Sequence, residues 1–294
     1  QERLELKARL YRSWRVSSAP LRKASVLSAA KYLVTPFSGF ILSNYFVSPE
    51  VSDGGFYFLN PTSHNLLTGA RPLADGTVVY VQSDYIEMFA QEILPTISQE
   101  FYLVTGKWHL PSLTLTKAAD VLIASPKVIA WYSQNQVYSD VAILPFPFGV
   151  EPTTAPLVRR LMQGSFTRKH TDVLVPHARI HPHFPREVRE IRSGLAPMME
   201  PEMPVKQYLR RIRQSRFVVS PPGDRPDTYR HWESIALGAV PVANLGGPLR
   251  DLFGQSMVSL EDLGDISNSA FEQHLAPDVS LVLLDTWRRR LVQS

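Results

Sequence analysis

The sequence predicts an α/β protein of two domains, each built on a parallel sheet. Its 294 residues, 44% of them hydrophobic, are enough for two domains of roughly 150 residues each. Short runs of β-branched and aromatic residues alternate with segments of helical periodicity, as in parallel sheets covered by helices. A proline-rich stretch near the middle of the chain separates two such patterns.

The cysteine content, hydropathy and net charge of the chain exclude several kinds of site and partner. The chain contains no cysteine, which excludes disulfides and thiolate metal sites. The lack of disulfides favours a location in the cytosol. The Golgi lumen is the alternative location if an N-terminal anchor was removed. No apolar run reaches the length of about 18 residues that a membrane-spanning helix needs. The net charge is +4, but the basic residues form no stripe, so nucleic acid is not an expected partner.

Ordered elements of the first domain are expected from residue 76 onwards. Before that point, a basic amphipathic helix is predicted at residues 2–14, and a loop-rich stretch at 31–72 has a turn signal at Asp53-Gly54-Gly55. Continuous apolar runs indicate buried strands. The predicted elements are a strand at 77–81, a helix at 85–94, strands at 101–105 and 120–123, a helix at 127–135 and a strand at 141–144.

A linker is predicted at residues 145–156, which contain four prolines and Gly149. It divides the chain into domains at 1–150 and 151–272, followed by a helical segment at 273–294 that we expect to pack back on the first domain. The same alternation of strands and helices continues after the linker. The predicted elements are strands at 172–176, 216–220 and 240–243 and helices at 186–193, 204–214 and 228–238.

Residues 215–242 form the most informative segment of the chain. They are predicted to fold as a strand, a rigid loop rich in proline, a helix, a glycine turn and a second strand. In open α/β sheets, ligands bind beyond the carboxyl ends of the strands, and the loop at 221–227 lies at such an end. The N-terminus of the following helix exposes unpaired N–H groups and a partial positive charge that favour phosphate.

Two side chains of this helix could hold the two ends of a nucleoside diphosphate. Arg230 lies in its first turn, where it can donate to phosphate oxygens, and Glu233 follows one turn later, where it can accept the hydroxyls of a ribose. The alternative is a surface ion pair between these two residues. The residues predicted to contact the bound nucleotide are Pro222, Gly223, Asp224, Thr228, Tyr229, Arg230 and Glu233. Arg186, from the helix predicted at 186–193, is added to them.

A cluster of histidines and arginines follows the strand predicted at 172–176. It contains His177, His181 and His183 with Arg179 and Arg186. Three interpretations stay open: a cationic edge of the nucleotide site in which Arg186 contacts the diphosphate, a polar surface loop, and a metal site. The irregular spacing of the histidines speaks against the metal site, so no metal ligands are predicted.

Residues 217–242 resemble the C-terminal donor-binding motif of the exostosin-like glycosyltransferases. The shared features are the strand, the proline and glycine loop, an arginine three residues before a glutamate, and a small residue before Val240-Pro241-Val242. Weaker similarity at 101–106, at 130–135 and around 143–149 extends the resemblance over about residues 76–252.

The resemblance implies a GT-B fold, in which two Rossmann-like domains have parallel sheets that face each other across a cleft. It also implies a nucleotide-sugar donor, with UDP as the expected carrier, a glycan hydroxyl as acceptor, inversion at the anomeric carbon and no essential metal or other cofactor. Arg230 and Glu233 correspond to the diphosphate and ribose contacts. The alternative function is a non-catalytic carbohydrate- or nucleotide-binding module on the same fold.

Inverting transfer needs a base that takes the proton of the acceptor hydroxyl. Asp84 and His109 are the candidates, because each follows a predicted strand of the first domain. Asp84 is preferred, since it precedes a helix N-terminus that would keep it ionised. The alternative for Asp84 is that it caps that helix, and the alternative for His109 is an ordinary loop side chain. Glu87 is a weaker candidate that we expect to be solvated.

Three aromatic side chains of the first domain have two interpretations. Trp108, Trp131 and Tyr132 could form a platform on which an acceptor sugar stacks. The alternative is that they belong to the hydrophobic core, which is the commoner place for aromatic residues in α/β proteins.

Overall fold

The computed structural model describes residues 28–47, 65–68, 72–106, 113–164, 169–266, 271 and 276–292. The helix predicted at 2–14 and the turn at Asp53-Gly54-Gly55 lie outside these residues. No helix in the described ranges combines the length and the hydropathy needed to cross a bilayer.

The described chain forms two parallel sheets, which confirms the predicted α/β class. The first sheet has six strands in the order β2-β1-β3-β4-β5-β6, and every neighbouring pair is parallel. Its strands are β1 (Tyr45–Val47), β2 (Asn65–Leu66), β3 (Val78–Gln82), β4 (Phe101–Gly106), β5 (Val128–Gln134) and β6 (Ile143–Phe146).

The second sheet has four strands in the order β10-β9-β8-β7, again with parallel pairs. Its strands are β7 (Thr171–Leu174), β8 (Ser215–Val219), β9 (Val240–Ala243) and β10 (Val258–Ser259). The two sheets therefore come from the two halves of the chain. This arrangement is compatible with two Rossmann-like domains, whose limits stay a prediction.

Helices connect the strands and cover the sheets. The first half contains α1 (Ser38–Leu42), α2 (Ile86–Met88), which continues into a π-helical turn at Phe89–Ile93, and α3 (Lys117–Ala124). The second half contains α4 (Ala155–Gln163), α5 (Arg186–Leu195), α6 (Val205–Gln214), α7 (Tyr229–Ala236), α8 (Gly247–Phe253) and α9 (Leu284–Leu291).

Central strands of the first sheet are buried on both faces, as their apolar runs predict. Every residue of β3 and β4 is buried. One face packs against α2 and α3 through a cluster that includes Phe89 and Leu122. The other face packs against α1 and α9 through a cluster that includes Phe40 and Trp287. The sheet is thus the middle layer of three.

The predictions for residues 120–135 were reversed between strand and helix. Residues 120–123 belong to α3, which buries Ala118, Ala119 and Leu122 at helical spacing. Residues 127–135 contain β5, in which Trp131 and Tyr132 point into opposite clusters of the sheet. Short apolar runs fit either element, and here the β-branched and aromatic content of β5 indicates the strand.

Trp131 and Tyr132 belong to the core rather than to an exposed stacking platform. Their exposed fractions are 2% and 5%. The Trp131 Nε1 group donates to Thr105 Oγ1 at 2.9 Å, and the Tyr132 hydroxyl donates to the Arg290 carbonyl at 3.2 Å. Trp108 lies outside the described residues.

The predicted linker at 145–156 is part of the packed interior. Phe148 and Val150 are fully buried. Between them, Gly149 has a φ of +84°, and a Cβ atom there would lie 2.3 Å from the Val34 carbonyl oxygen. The positive φ and the close approach both require glycine. This stretch is therefore a fixed connection between the two halves and not a flexible one.

The end of the chain packs on the first sheet. Trp287 on α9 has an exposed fraction of 2%, and its ring meets that of Phe146 edge to face at 5.5 Å. Just before α9, Val282 accepts a hydrogen bond from the Val34 N–H at 2.9 Å. The last helix is therefore anchored to the first half, although it follows the second sheet in sequence.

We expect Trp287→Ala to lower the free energy of unfolding by about 3–5 kcal/mol, because truncation leaves a cavity beneath the sheet. Urea denaturation followed by circular dichroism measures this. Val292→Ala is the control, since Val292 lies just after α9 and is 51% exposed, and its change should stay within about 0.5 kcal/mol. Equal small losses in both variants would contradict the observed packing of α9.

Candidate functional site

The segment singled out in the sequence folds as expected. Residues 215–243 form β8, a loop, α7, a tight turn at Gly238 and β9. Gly238 has a φ of +74°, a conformation that favours glycine. The turn places β9 beside β8 in register, with Phe217 opposite Val240. As a result, the loop at 220–228 lies beyond the carboxyl end of β8.

Asp227 fixes this loop from within. Its carboxylate is fully buried; Oδ2 accepts from the Phe148 backbone N–H at 3.0 Å, and Oδ1 accepts from the Trp232 indole at 2.7 Å. The Thr228 N–H at the N-cap of α7 donates to His231 Nδ1 at 3.1 Å. The start of α7 therefore has a capping side chain and a neighbouring buried carboxylate from the protein itself, and binding of phosphate there stays a prediction.

The same loop contacts the first half of the chain. The Arg225 guanidinium lies 3.9 Å from the centre of the Phe148 ring, and its Nε donates to Asp224 at 3.2 Å. The ring of Tyr229 lies 4.8 Å from that of Phe148. Tyr229, which was predicted as a donor contact, thus belongs to the junction between the segment after β6 and the loop after β8. Asp224, also predicted as a donor contact, pairs with Arg225, and its charge acts on Arg192.

A cavity of about 330 Å³ lies beyond the carboxyl ends of β7 and β8. Its walls come from the segment after β7, from α5, from the segment before α6, and from α6 and α7 themselves. They are formed by Pro176, His177, Ala178, Arg179, Arg192, Pro201, Glu202, Met203, Val205, Tyr208 and Arg230. One part of the wall is cationic, and another is apolar.

The charges in the cavity wall favour an anion. Three arginines face one glutamate, Glu202, and that glutamate is paired with Arg179 at 2.5 Å. Within the described part of the chain, neither Arg192 nor Arg230 forms an ion pair with a carboxylate. These two guanidinium groups therefore supply positive charge to the cavity, which the nearby charge of Asp224 offsets in part at Arg192.

Arg230 is held by two neutral acceptors. Its Nη2 donates to the His177 carbonyl at 2.8 Å, and its Nε donates to the Tyr208 hydroxyl at 3.3 Å. Because a guanidinium group has more N–H donors than these two contacts use, the others are left for a ligand. Arg230 thus lies in the wall of the cavity, and its role as a ligand contact stays a prediction.

Glu233 is placed differently from what was expected. Its carboxylate is 4% exposed; Oε1 accepts from the Thr154 hydroxyl at 2.9 Å, and Oε2 accepts from the Tyr208 hydroxyl at 3.1 Å. Burial raises its pKa to about 7, helped by the charge of Glu151. Both oxygens are thus used inside the protein, so neither the ribose contact nor the surface ion pair with Arg230 describes this carboxylate.

Arg192 is a site residue that the sequence analysis did not identify. Its Nε donates to the Pro222 carbonyl at 2.9 Å and its Nη1 to the Arg179 carbonyl at 2.5 Å. A Cβ atom on Gly223 would lie 3.4 Å from its Nη2. Pro222 and Gly223, both predicted at the site, therefore border this arginine. Burial, followed by the nearby charge of Arg230, lowers the pKa of Arg192 to about 10, so it stays charged at neutral pH.

Arg186, the arginine predicted on the same helix, does not reach the cavity wall. Its side chain is 84% exposed and pairs with Glu190 at 2.7 Å. His177 lines the cavity, whereas His181 and His183 are exposed and stack on each other at 4.0 Å. Among the described residues, no group of three or more His, Cys, Asp or Glu side chains could hold a metal ion.

Asp84, the preferred candidate base, is not part of this cavity wall. Asp84 lies in the first turn of the 3-10 helix at Ser83–Tyr85, directly after β3, and its exposed carboxylate accepts from Gln82 Nε2 at 3.4 Å. Its position at the carboxyl end of β3 is the expected one. His109 lies outside the described residues. The assignment of the base stays a prediction.

Fold and site together define an α/β protein with two parallel sheets and a cationic cavity at the edge of the second. Comparison with models of known protein families finds no match, and comparison with curated proteins finds none either. The interpretation of the site therefore rests on its own residues and on the motif quoted above.

The buried carboxylate of Glu233 should make the stability of the protein depend on pH. Folding raises its pKa from 4.5 to about 7, so the folded state favours the protonated form. Its contribution is complete below pH 4.5 and is lost as the pH rises through 7, which amounts to about 3 kcal/mol. Glu233→Gln removes this titration.

Urea unfolding of the wild type and of Glu233→Gln between pH 4.5 and pH 8 tests this expectation. The free energy of unfolding of the wild type should fall relative to that of the variant as the pH rises. Glu187→Gln, a substitution at an exposed position of α5, is the control and should run parallel to the wild type. Parallel curves for Glu233→Gln as well would show that its carboxylate is not buried in solution.

Proposed function

We propose that this protein is an exostosin-like glycosyltransferase that transfers a sugar from a UDP-linked donor to a glycan hydroxyl. The observation that carries the proposal is the pair of arginines, Arg192 and Arg230, in the cavity wall beyond β7 and β8. Neither forms an ion pair with a carboxylate of the described chain. Two such groups match the charge of a diphosphate.

The location of the cavity supports the same proposal. Nucleotide ligands of open α/β sheets bind outside the carboxyl ends of the strands, and the cavity lies at that edge of the second sheet. Pro176, Pro201, Met203 and Val205 give it an apolar wall beside the arginines, which suits a ligand that is anionic at one end only. The finer assignment to GT-B, with the two sheets facing across a cleft, is part of this proposal.

The proposed chemistry needs the arginines at the leaving group. The acceptor hydroxyl attacks the anomeric carbon, the bond from that carbon to the diphosphate oxygen breaks, and UDP departs with the negative charge. Arg192 and Arg230 stabilise that charge, a role that the proposal gives to guanidinium groups instead of a divalent ion. A base of the first domain, Asp84 or His109, takes the hydroxyl proton, and attack on the face opposite the departing UDP inverts the anomeric configuration.

A nucleotide-binding module without catalysis is the second candidate. It is favoured by one observation: Glu202, the carboxylate in the cavity wall, is paired with Arg179 and is therefore poorly placed to act as a base. The two candidates are separated by incubating the protein with UDP-sugars and measuring the release of UDP. Release that depends on the protein identifies the transferase, and binding without release identifies the module.

We expect UDP to raise the melting temperature of the protein equally with and without EDTA. Arg230→Ala should weaken UDP binding by about 10- to 100-fold, because each hydrogen bond to a charged group contributes about 1.5–3 kcal/mol. Titration calorimetry measures the affinity. Arg210→Ala removes an exposed arginine of α6 and should bind as the wild type does. An unchanged affinity in Arg230→Ala would refute the proposed site.

A second pair of variants tests which arginine of α5 belongs to the site. Arg192→Ala should weaken UDP binding by about tenfold or more, whereas Arg186→Ala should leave it unchanged, since Arg186 is exposed and paired with Glu190. The same titration gives both affinities, and circular dichroism confirms that both variants are folded. The reverse order of effects would restore the original assignment of Arg186.

A further inference from the structure

The hydroxyl of Tyr208 lies between the two charged residues of α7. It accepts a hydrogen bond from Arg230 Nε at 3.3 Å and donates one to Glu233 Oε2 at 3.1 Å. An arginine only donates and an ionised carboxylate only accepts, so the direction of both bonds is fixed while Glu233 is ionised. Burial raises the pKa of the Tyr208 phenol above its ordinary value, and the group keeps the proton that it donates.

A second hydroxyl fixes the far end of this chain of contacts. Thr154, which directly precedes α4, donates to Glu233 Oε1 at 2.9 Å. The contacts therefore run from Thr154 to Glu233, then to Tyr208 on α6, and finally to Arg230 on α7. Helices α4, α6 and α7 pack on one another, so the chain of contacts rests on three packed elements.

These contacts fix the orientation of the planar guanidinium group of Arg230. With Nε held by Tyr208 and Nη2 held by the His177 carbonyl, the planar group has two anchors on different atoms. An arginine that is ordered before its ligand arrives loses less conformational entropy when it binds. Loss of one anchor would let the side chain rotate and would weaken the anion site.

We propose that Tyr208 is a positioning residue for Arg230, and that Glu233 supports the same arginine through Tyr208 instead of contacting the ligand. The inference rests on the proposed function, because it takes Arg230 to be an anion contact. It explains why a glutamate one turn after the arginine is buried. It also assigns Tyr208, on a different helix, to the donor site.

The test is a double-mutant cycle with UDP as the probe. Tyr208→Phe removes the hydroxyl and keeps the ring; we expect UDP to bind about tenfold more weakly. The KM for the donor should rise by more than kcat falls. In an Arg230→Ala background, Tyr208→Phe should have no further effect, because the group that it positions is gone. A merely structural role would lower the affinity in both backgrounds.

A control variant and the Arg230→Ala affinity distinguish the possible outcomes of this test. Tyr32→Phe, at a position that is 43% exposed, should bind as the wild type does. Wild-type affinity in Tyr208→Phe, together with weak binding in Arg230→Ala, would overturn the positioning role and leave the proposed function standing. Wild-type affinity in Arg230→Ala would overturn both. If Tyr208→Phe does not fold, Thr154→Val loosens the same chain of contacts from its other end and should weaken UDP binding in the same direction.

Discussion

One buried carboxylate holds the loop after β8 in the form that the candidate site requires. Asp227 accepts from the indole of Trp232 on α7 and from the backbone of Phe148 after β6. A carboxylate without partners would be costly at a position with no solvent exposure. Its two donors, one from each half of the chain, must therefore stay together, which holds the carboxyl ends of β6 and β8 against each other.

The same carboxylate decides which groups are left to bind an anion. It lies directly before α7, where the partial positive charge of the helix would otherwise attract a phosphate. In the proposed site, the charge offered to a ligand then comes from Arg192 and Arg230. Both are oriented by backbone carbonyls, of Pro222 and His177 respectively. Such acceptors fix a guanidinium group without cancelling its charge, as a carboxylate would.

The fold was predictable where the local pattern has one interpretation. In β3 and β4 the apolar runs are continuous because helices cover both faces of the sheet, and the runs identify the strands. For α3 and β5 the runs are short, and periodicity alone does not separate a buried strand from a buried helix turn. The connection around Phe148 was predicted as a linker, but its burial was not, because prolines mark turns whether or not tertiary packing covers them.

Only those residues of the candidate site that are close together in sequence could be predicted. Arg230 and its loop are contiguous in sequence and were identified together, whereas Arg192 and Tyr208 come from other helices and reach the cavity only through packing. Helical spacing placed Glu233 on the same side of α7 as Arg230, but spacing does not tell which neighbour lies opposite. The Tyr208 hydroxyl lies there and donates to the carboxylate that was expected to meet a ribose.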